Sequence, residues 1–175
     1  MNNYSFLQRL LHKIIFGNKY LLNLVYEIEQ NLLKDKNREV KKLFITGYAR
    51  SGTTILLNKL YDTGFFKSLT YEDMPFTLSP KINNFFKKFR YYNLKFTRAH
   101  KDNIKINLSS PEAFEEIFWK LKLNNEYIKK NYLSENSIST KILNQFEDYV
   151  RIICENNKIY LSKNNNNILR INQLI

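Results

Sequence analysis

Cysteine occurs once in the 175 residues, at position 154, so no internal disulfide can form, and no Cys/His spacing suggests a zinc site. Cys154 is expected to be an inert, buried thiol on a helix. Glycine (4) and proline (3) are too scarce for a linker-rich or disordered chain. Long apolar runs are also lacking. Gln8, Arg9, His12 and Lys13 interrupt the apolar N-terminus, which fits neither a secretory h-region nor a membrane span, so a reducing cytoplasm is the expected location. Acidic residues are few, 16 against 28 Lys and Arg, which gives a net charge of +12 and a pI near 9.6. That balance favours an anionic ligand, nucleic acid or an acidic membrane surface without choosing among them. The lysines are spread through every segment, as on a solvated face. What is present, 43% apolar and 15% aromatic residues, suffices for one folded domain or part of one. The abundance of Asn, Lys and Ile reads as compositional bias rather than design.

Periodicity predicts two amphipathic helices before the first strand. One covers 4–16, with Leu7, Leu10, Leu11, Ile14 and Ile15 on a stripe. The next runs to about residue 34 with Leu21, Leu24, Val25, Ile28 and Leu32 inward. "LFIT" is a short buried strand, "GYARSG" a loop, and "TTILLNKLYDTG" a helix stopped by Gly64. A second strand is expected at "SLTY", with "EDMPF" in the loop beyond it, and a helix over "PKINNFFKKFRYY". Ser110 as N-cap and Pro111 at the first helical position predict a helix from "SSPEAFEEIFWKL", burying Phe114, Ile117, Phe118 and Leu121. A helix over 138–156 buries Ile142, Phe146, Val150 and Ile153. "KIYLS" is a strand, "KNNNN" its loop and "ILRINQLI" a helix. The fold class is therefore α/β, a P-loop NTPase-like three-layer parallel sheet flanked by helices. Residues 1–40 form a helical segment packing on the domain, and 41–175 the domain itself.

Chemistry concentrates in the loop. Backbone amides of a glycine-bounded turn and the positive end of the following helix make a site for phosphate or sulfate. Gly47 and Gly52 permit the turn, Ser51 lies between, and Thr53 and Thr54 bring hydroxyl donors to the helix start. In the Walker pattern G-x-x-x-x-G-K-[ST] a lysine follows the second glycine. Thr53 stands there instead, and the cation has moved to Arg50.

In this arrangement the segment "GYARSGTT" resembles the 5′-phosphosulfate loop of sulfotransferases that use 3′-phosphoadenosine 5′-phosphosulfate (PAPS), matching each fixed position of G-x-x-[RK]-[SG]-G-[TS]-[TS]. "LTYEDMPF" resembles the segment where tyrosylprotein-type and related sulfotransferases keep an acidic base. "IYLSKNNNNILRI" is similar to the family's later strand and lysine-bearing loop. "RAHKDNIKINLSSPEAFEEIFWK" resembles a bacterial group associated with surface polysaccharides. The resemblance implies PAPS as donor, no metal, and a saccharide hydroxyl as acceptor.

Sulfuryl transfer builds negative charge on the bridging oxygen, which Arg50 and the amides of Ser51, Gly52, Thr53 and Thr54 suit by charge and donor type. An acceptor hydroxyl needs a base. Glu72 is the candidate, with Asp73 in reserve, against a capping or surface role. The resemblance lets Lys163 contact the sulfuryl group or bridging oxygen, against a role as solvated charge. Ser162 and Asn164 are weaker candidates for positioning substrate. His12 and His100 are expected to be surface or packing residues, and the helix around Trp119 core packing. "KKFRYYNLKFTR" could line an anionic path as well as a solvated face.

Complete sulfotransferases continue to a strand with an R-D-P-like motif that grips the donor's 3′-phosphate. No R-D-P occurs before Ile175. The expectation is thus an N-terminal portion of the domain with an exposed sheet edge, which a second chain could complete. Two other classes stay open. One is a non-catalytic anion-binding or nucleic-acid-binding protein, although the resemblance implies no nucleic-acid partner. The other is a divergent P-loop kinase, which the absent lysine disfavours. For the helix over 4–16 a membrane-peripheral role competes with packing on the sheet.

Overall fold

The computed structural model describes residues 17–33, 35–87, 96–97, 105–135, 137–154 and 157–174. The helix predicted over 4–16, with His12, therefore lies outside the described residues, as do His100 and most of "KKFRYYNLKFTR".

The chain is α/β, with an open, all-parallel three-stranded sheet. The strands are β1 (Lys42–Ile45), β2 (Phe66–Lys67) and β5 (Ile159–Lys163), in the order β1-β5-β2. β5 enters last and takes the middle, with Lys42 opposite Tyr160, Ile45 opposite Lys163, and Phe66 opposite Ile159. A separate antiparallel pair joins β3 (Phe96–Thr97) to β4 (Lys105–Ile106).

Strand alternation sorts side chains between two cores. Ile45 and Leu161 point to the face covered by α2 (Thr53–Asp62), where Leu57 is fully buried and Leu60, Tyr61 and Phe66 pack around it. Phe44 and Tyr160 point to the other face. There they meet α1 (Lys19–Asn31), α3 (Pro80–Lys87), α4 (Glu116–Lys122) and α5 (Thr140–Ile153), which surround the main core. Its centre is aromatic. Phe118 lies edge-on to Trp119 at 5.0 Å and stacks on Tyr149 at 5.3 Å, and Trp119 meets Phe146 at 4.6 Å. Each such pair contributes about 0.5–1.5 kcal/mol beyond its buried area. The helix around Trp119 is core, as its composition predicts.

The other boundaries show where local signals prevailed. Asn18 starts α1 by accepting from the amides of Tyr20 and Leu21. Thr63 and Gly64, at φ +78°, end α2 as expected. Ser139 caps α5, which buries Phe146, Val150 and Ile153, and Cys154 follows it as a buried thiol.

Three expectations are corrected. α1 does not turn Leu24, Ile28 and Leu32 inward: they are exposed with Tyr20, whereas Leu22, Tyr26 and Glu29 are buried. Polar work sets that rotation. The Tyr26 hydroxyl donates to the Gln145 carbonyl, and the Glu29 carboxylate accepts from the amides of Lys81 and Ile82 at 2.6 and 3.1 Å, capping α3 from a neighbouring helix. The second strand is Phe66–Lys67, not "SLTY". Beyond Lys67 the chain leaves β5: the Leu69 carbonyl accepts from Glu112 N, and Thr70 bridges Pro111. That bridge also removes Pro111 from its predicted helix, and Ser110 closes a turn with Asn107 instead of capping, so α4 begins at Glu116.

No helix among the described residues is long and apolar enough to cross a membrane.

Candidate functional site

The carboxyl ends of the three parallel strands form one edge, where ligands of open α/β sheets bind. Three segments follow these strand ends: the loop after β1, the turn after β2, and the chain leaving β5, which contacts the loop directly and the turn through Glu112.

The loop 46–52 is held at its base by β5. Asn164 N donates to the Ile45 carbonyl at 3.0 Å, and Thr46 Oγ1 donates to the Asn165 carbonyl at 3.1 Å. The loop then tightens on itself, with both the amide and the hydroxyl of Ser51 donating to the Tyr48 carbonyl, the hydroxyl at 2.7 Å. Its two glycines answer to different constraints. Gly52 sits at φ +80°, a left-handed conformation costly to other residues, with open space where a side chain would be. At Gly47 space decides: a Cβ would lie 3.0 Å from Ser51 Oγ and 3.2 Å from Thr53 Cγ2.

Arg50 also has a left-handed backbone, at φ 65°, and its side chain is exposed, as is that of Tyr48. Because the N-cap of α2 is Gly52, no side chain caps the helix, and Thr53 and Thr54 open it half-buried. A helix N-terminus without a side-chain cap, in a loop that also carries Arg50, offers donor types suited to a tetrahedral anion.

After β2 the chain enters a 3-10 turn, Tyr71–Asp73, followed by a cis Met74–Pro75 bond. Asp73 is buried and committed: its carboxylate accepts from the Thr70 amide at 2.8 Å, the Thr70 hydroxyl at 3.0 Å and Asn83 Nδ2 at 3.4 Å. It braces the turn, which removes it as the reserve base. Glu72 is half-buried on the same turn. Its backbone is fixed on both sides, by Glu72 N donating to the Leu108 carbonyl at 2.7 Å and by Asn83 Nδ2 donating to the Glu72 carbonyl at 2.9 Å.

Lys163 ends β5 opposite Ile45, one register step from the start of the loop. It is not a solvated charge. Its side chain is only 12% exposed, with Nζ 4.0 Å from Glu112 Oε1. Glu112 Oε2 in turn accepts from the Tyr71 hydroxyl at 3.2 Å, so the end of β5 connects to the turn that carries Glu72.

Ser162 and Asn164 are buried. Asn164 is consumed structurally, donating to Glu116 Oε2 at 2.6 Å and accepting from the Asn166 amide. Asn166 Nδ2 reaches Glu116 at 2.8 Å and Asn167 Nδ2 reaches Glu115 at 2.9 Å. The asparagine run is thus an ordered 3-10 segment, Asn165–Leu169, pinned by two adjacent glutamates. Compositional bias had hidden it.

Glu115 also accepts from Trp119 Nε1 and the Tyr160 hydroxyl. Glu116 accepts from the Tyr127 hydroxyl and from Arg170, whose buried guanidinium lies over the Trp119 and Tyr127 rings. Burial first, then the hydrogen bond and charge of Glu116, push the Tyr127 phenol well above its usual range. These contacts set the position of the β5 end, and through Thr46 and Asn165 that of the loop.

A cavity of about 410 Å³ opens at the opposite, amino-terminal end of the strands, lined by Arg38, Lys41, Cys154 and Lys158 among others, away from the loop. No family model matches the chain, and no curated protein and no solved structure matches it.

Proposed function

We propose that this chain is a sulfotransferase, or a portion of one, that binds PAPS at Gly47–Thr54 and transfers its sulfuryl group to an acceptor hydroxyl, with a saccharide as the acceptor class. The observation that carries the proposal is the loop itself. A close-packed Gly47 and a left-handed Gly52 lead into a helix without a side-chain cap, with the exposed Arg50 two residues before that cap position. The sheet order, with a late strand inserted between the first two, is compatible with a P-loop-like three-layer layout.

In the transfer, the bond from sulfur to the bridging phosphate oxygen breaks and a bond from sulfur to the acceptor oxygen forms. The nucleotide leaves as adenosine 3′,5′-bisphosphate. Arg50 and the amides of Ser51 to Thr54 stabilise the charge that develops on the bridging oxygen, where loss of one donor typically costs about 3 kcal/mol. Lys163 adds a second cation at the same sheet edge. Glu72 takes the acceptor proton. These positive groups do the work that Mg²⁺ does in a nucleotide hydrolase.

Calorimetric titration with PAPS, adenosine 3′,5′-bisphosphate and ATP-Mg²⁺ tests the proposal. PAPS binding that Arg50→Ala removes is the expected result. Preference for ATP-Mg²⁺, or PAPS binding indifferent to Arg50, sinks it. In an active preparation, Glu72→Ala with near-normal turnover would remove Glu72 as the base.

A further inference from the structure

Lys163 is a lysine that water scarcely reaches, placed at the end of the central strand beside an anion-type loop, with a carboxylate already in front of it. We infer that Glu112 is an internal counter-ion that holds Lys163 at the sheet edge until the donor's sulfuryl group displaces it, which makes Glu112 a positioning residue for the transfer. The inference rests on the reading of the loop as a phosphosulfate site.

Which of the two partners moves follows from their other contacts. Glu112 is anchored without Lys163. Its Oε2 accepts from the Tyr71 hydroxyl at 3.2 Å, its Oε1 accepts from Ala113 N at 3.0 Å, and its own amide donates to the Leu69 carbonyl at 3.2 Å. Tyr71 is itself wedged edge-on against Phe114 at 5.2 Å. The carboxylate is therefore part of the scaffold, and the flexible four-carbon stem of Lys163 is the part that can swing.

The separation of 4.0 Å from Nζ to Oε1 exceeds hydrogen-bond length. Attraction keeps the ammonium near the edge without locking it in one geometry, so exchanging one oxygen anion for another loses little. Because Glu112 also bonds Tyr71, the residue before Glu72, the same carboxylate relates the cation to the candidate base.

A merely bracing Glu112 and a counter-ion predict opposite signs. Glu112→Gln removes the charge, keeps one carbonyl acceptor for Tyr71 or Ala113, and presents an NH2 to the other. A brace would lose or keep affinity on this change. A counter-ion, once neutralised, leaves Lys163 uncompensated and tightens anion binding.

The experiment is calorimetric titration of PAPS into the full chain and into Glu112→Gln, Lys163→Met and the double variant. Glu112→Gln is expected to bind roughly fivefold tighter, the scale of one ion pair without a direct hydrogen bond. The double variant is expected to match Lys163→Met alone. Unchanged or weaker binding by Glu112→Gln overturns the inference, whereas PAPS binding indifferent to Arg50→Ala, or absent from the full chain, overturns the loop reading instead.

Lysine acylation read by mass spectrometry tests the tether without any nucleotide. Lys163 is expected to label faster in Glu112→Gln than in the parent chain, with the other lysines unchanged. Equal rates overturn the counter-ion role.

Discussion

The side-chain amide of Asn164 donates to Glu116 at 2.6 Å, joining the end of β5 to the start of α4. The same carboxylate serves Tyr127, Asn166 and Arg170. Glu116→Ala strips the charge partner from an arginine that is 1% exposed, and is expected to cost about 3–5 kcal/mol. Glu116→Gln keeps part of the acceptor set and is expected to cost about 1–3 kcal/mol. Urea unfolding of both variants checks the values and their order, and equal, small losses would mean that the network is not what holds this segment.

The two loop glycines separate stability from binding. Gly52→Ala meets no neighbour but is strained at φ +80°, and is expected to lose about 1–2 kcal/mol. Gly47→Ala has no such backbone cost but crowds Ser51 and Thr53, and is expected to lose more PAPS affinity than stability. Thermal unfolding and PAPS titration of the pair decide it. Normal binding by Gly47→Ala would remove the close packing at Gly47 from the account.

Stability is expected to fall in alkali. Burial raises the phenol pKa values of Tyr26, Tyr127, Tyr149 and Tyr160 above their ordinary range, helped by Asp148 at Tyr26, by Glu116 at Tyr127 and by Glu115 at the last two. The folded state then keeps protons that the unfolded chain releases above about pH 10. The contribution is whole below that pH and is lost as pH rises, by up to about 1.4 kcal/mol per pH unit for each phenol. Urea midpoints between pH 8 and 12 measure the slope, and Tyr149→Phe should make it shallower. The same change deletes the hydrogen bond from Tyr149 to the Thr77 carbonyl, so it also lowers the plateau near neutrality.

Cys154 is expected to resist an aromatic disulfide reagent at pH 8 while the protein is folded. Burial outweighs the opposing charges of Arg38 and Lys67 and pushes its thiol up to about 12. Labelling should therefore follow the unfolding rate as urea is raised. Rapid, stoichiometric labelling without denaturant would contradict this.

Residue types read well wherever a local signal had no rival. The Gly64 stop and the apolar stripe of Phe146, Val150 and Ile153 on α5 depend on neighbours in sequence, and they form where their spacing predicts. Expectations failed where a distant partner prevailed. Glu29 looks like a surface acid in its own helix, and only the amides of Lys81 and Ile82 explain its burial. Pro111 signals a helix start, but pairing with Thr70 claims it. At the candidate site, the loop and both glycines were visible in the chain, since backbone strain and close approach leave a mark on residue choice. The contact of Lys163 with Glu112 and the role of the asparagine run were not, because residues far apart in sequence carry no periodic trace of meeting. The one available hint was that Glu115 and Glu116 stand beside three aromatic residues in a segment too apolar to be a surface.

The middle position of β5 has a consequence for synthesis on the ribosome. β1 and β2 emerge first, yet in the finished sheet neither pairs with the other, and both wait for residues 159–163. At ordinary elongation rates that delay is on the order of ten seconds, with β1 and the two-residue β2 unpaired meanwhile. The loop that anchors on Asn164 and Asn165 cannot take its final shape until the same moment. A nascent chain paused before β5 should therefore be a client of holding chaperones, and one paused well beyond it should not.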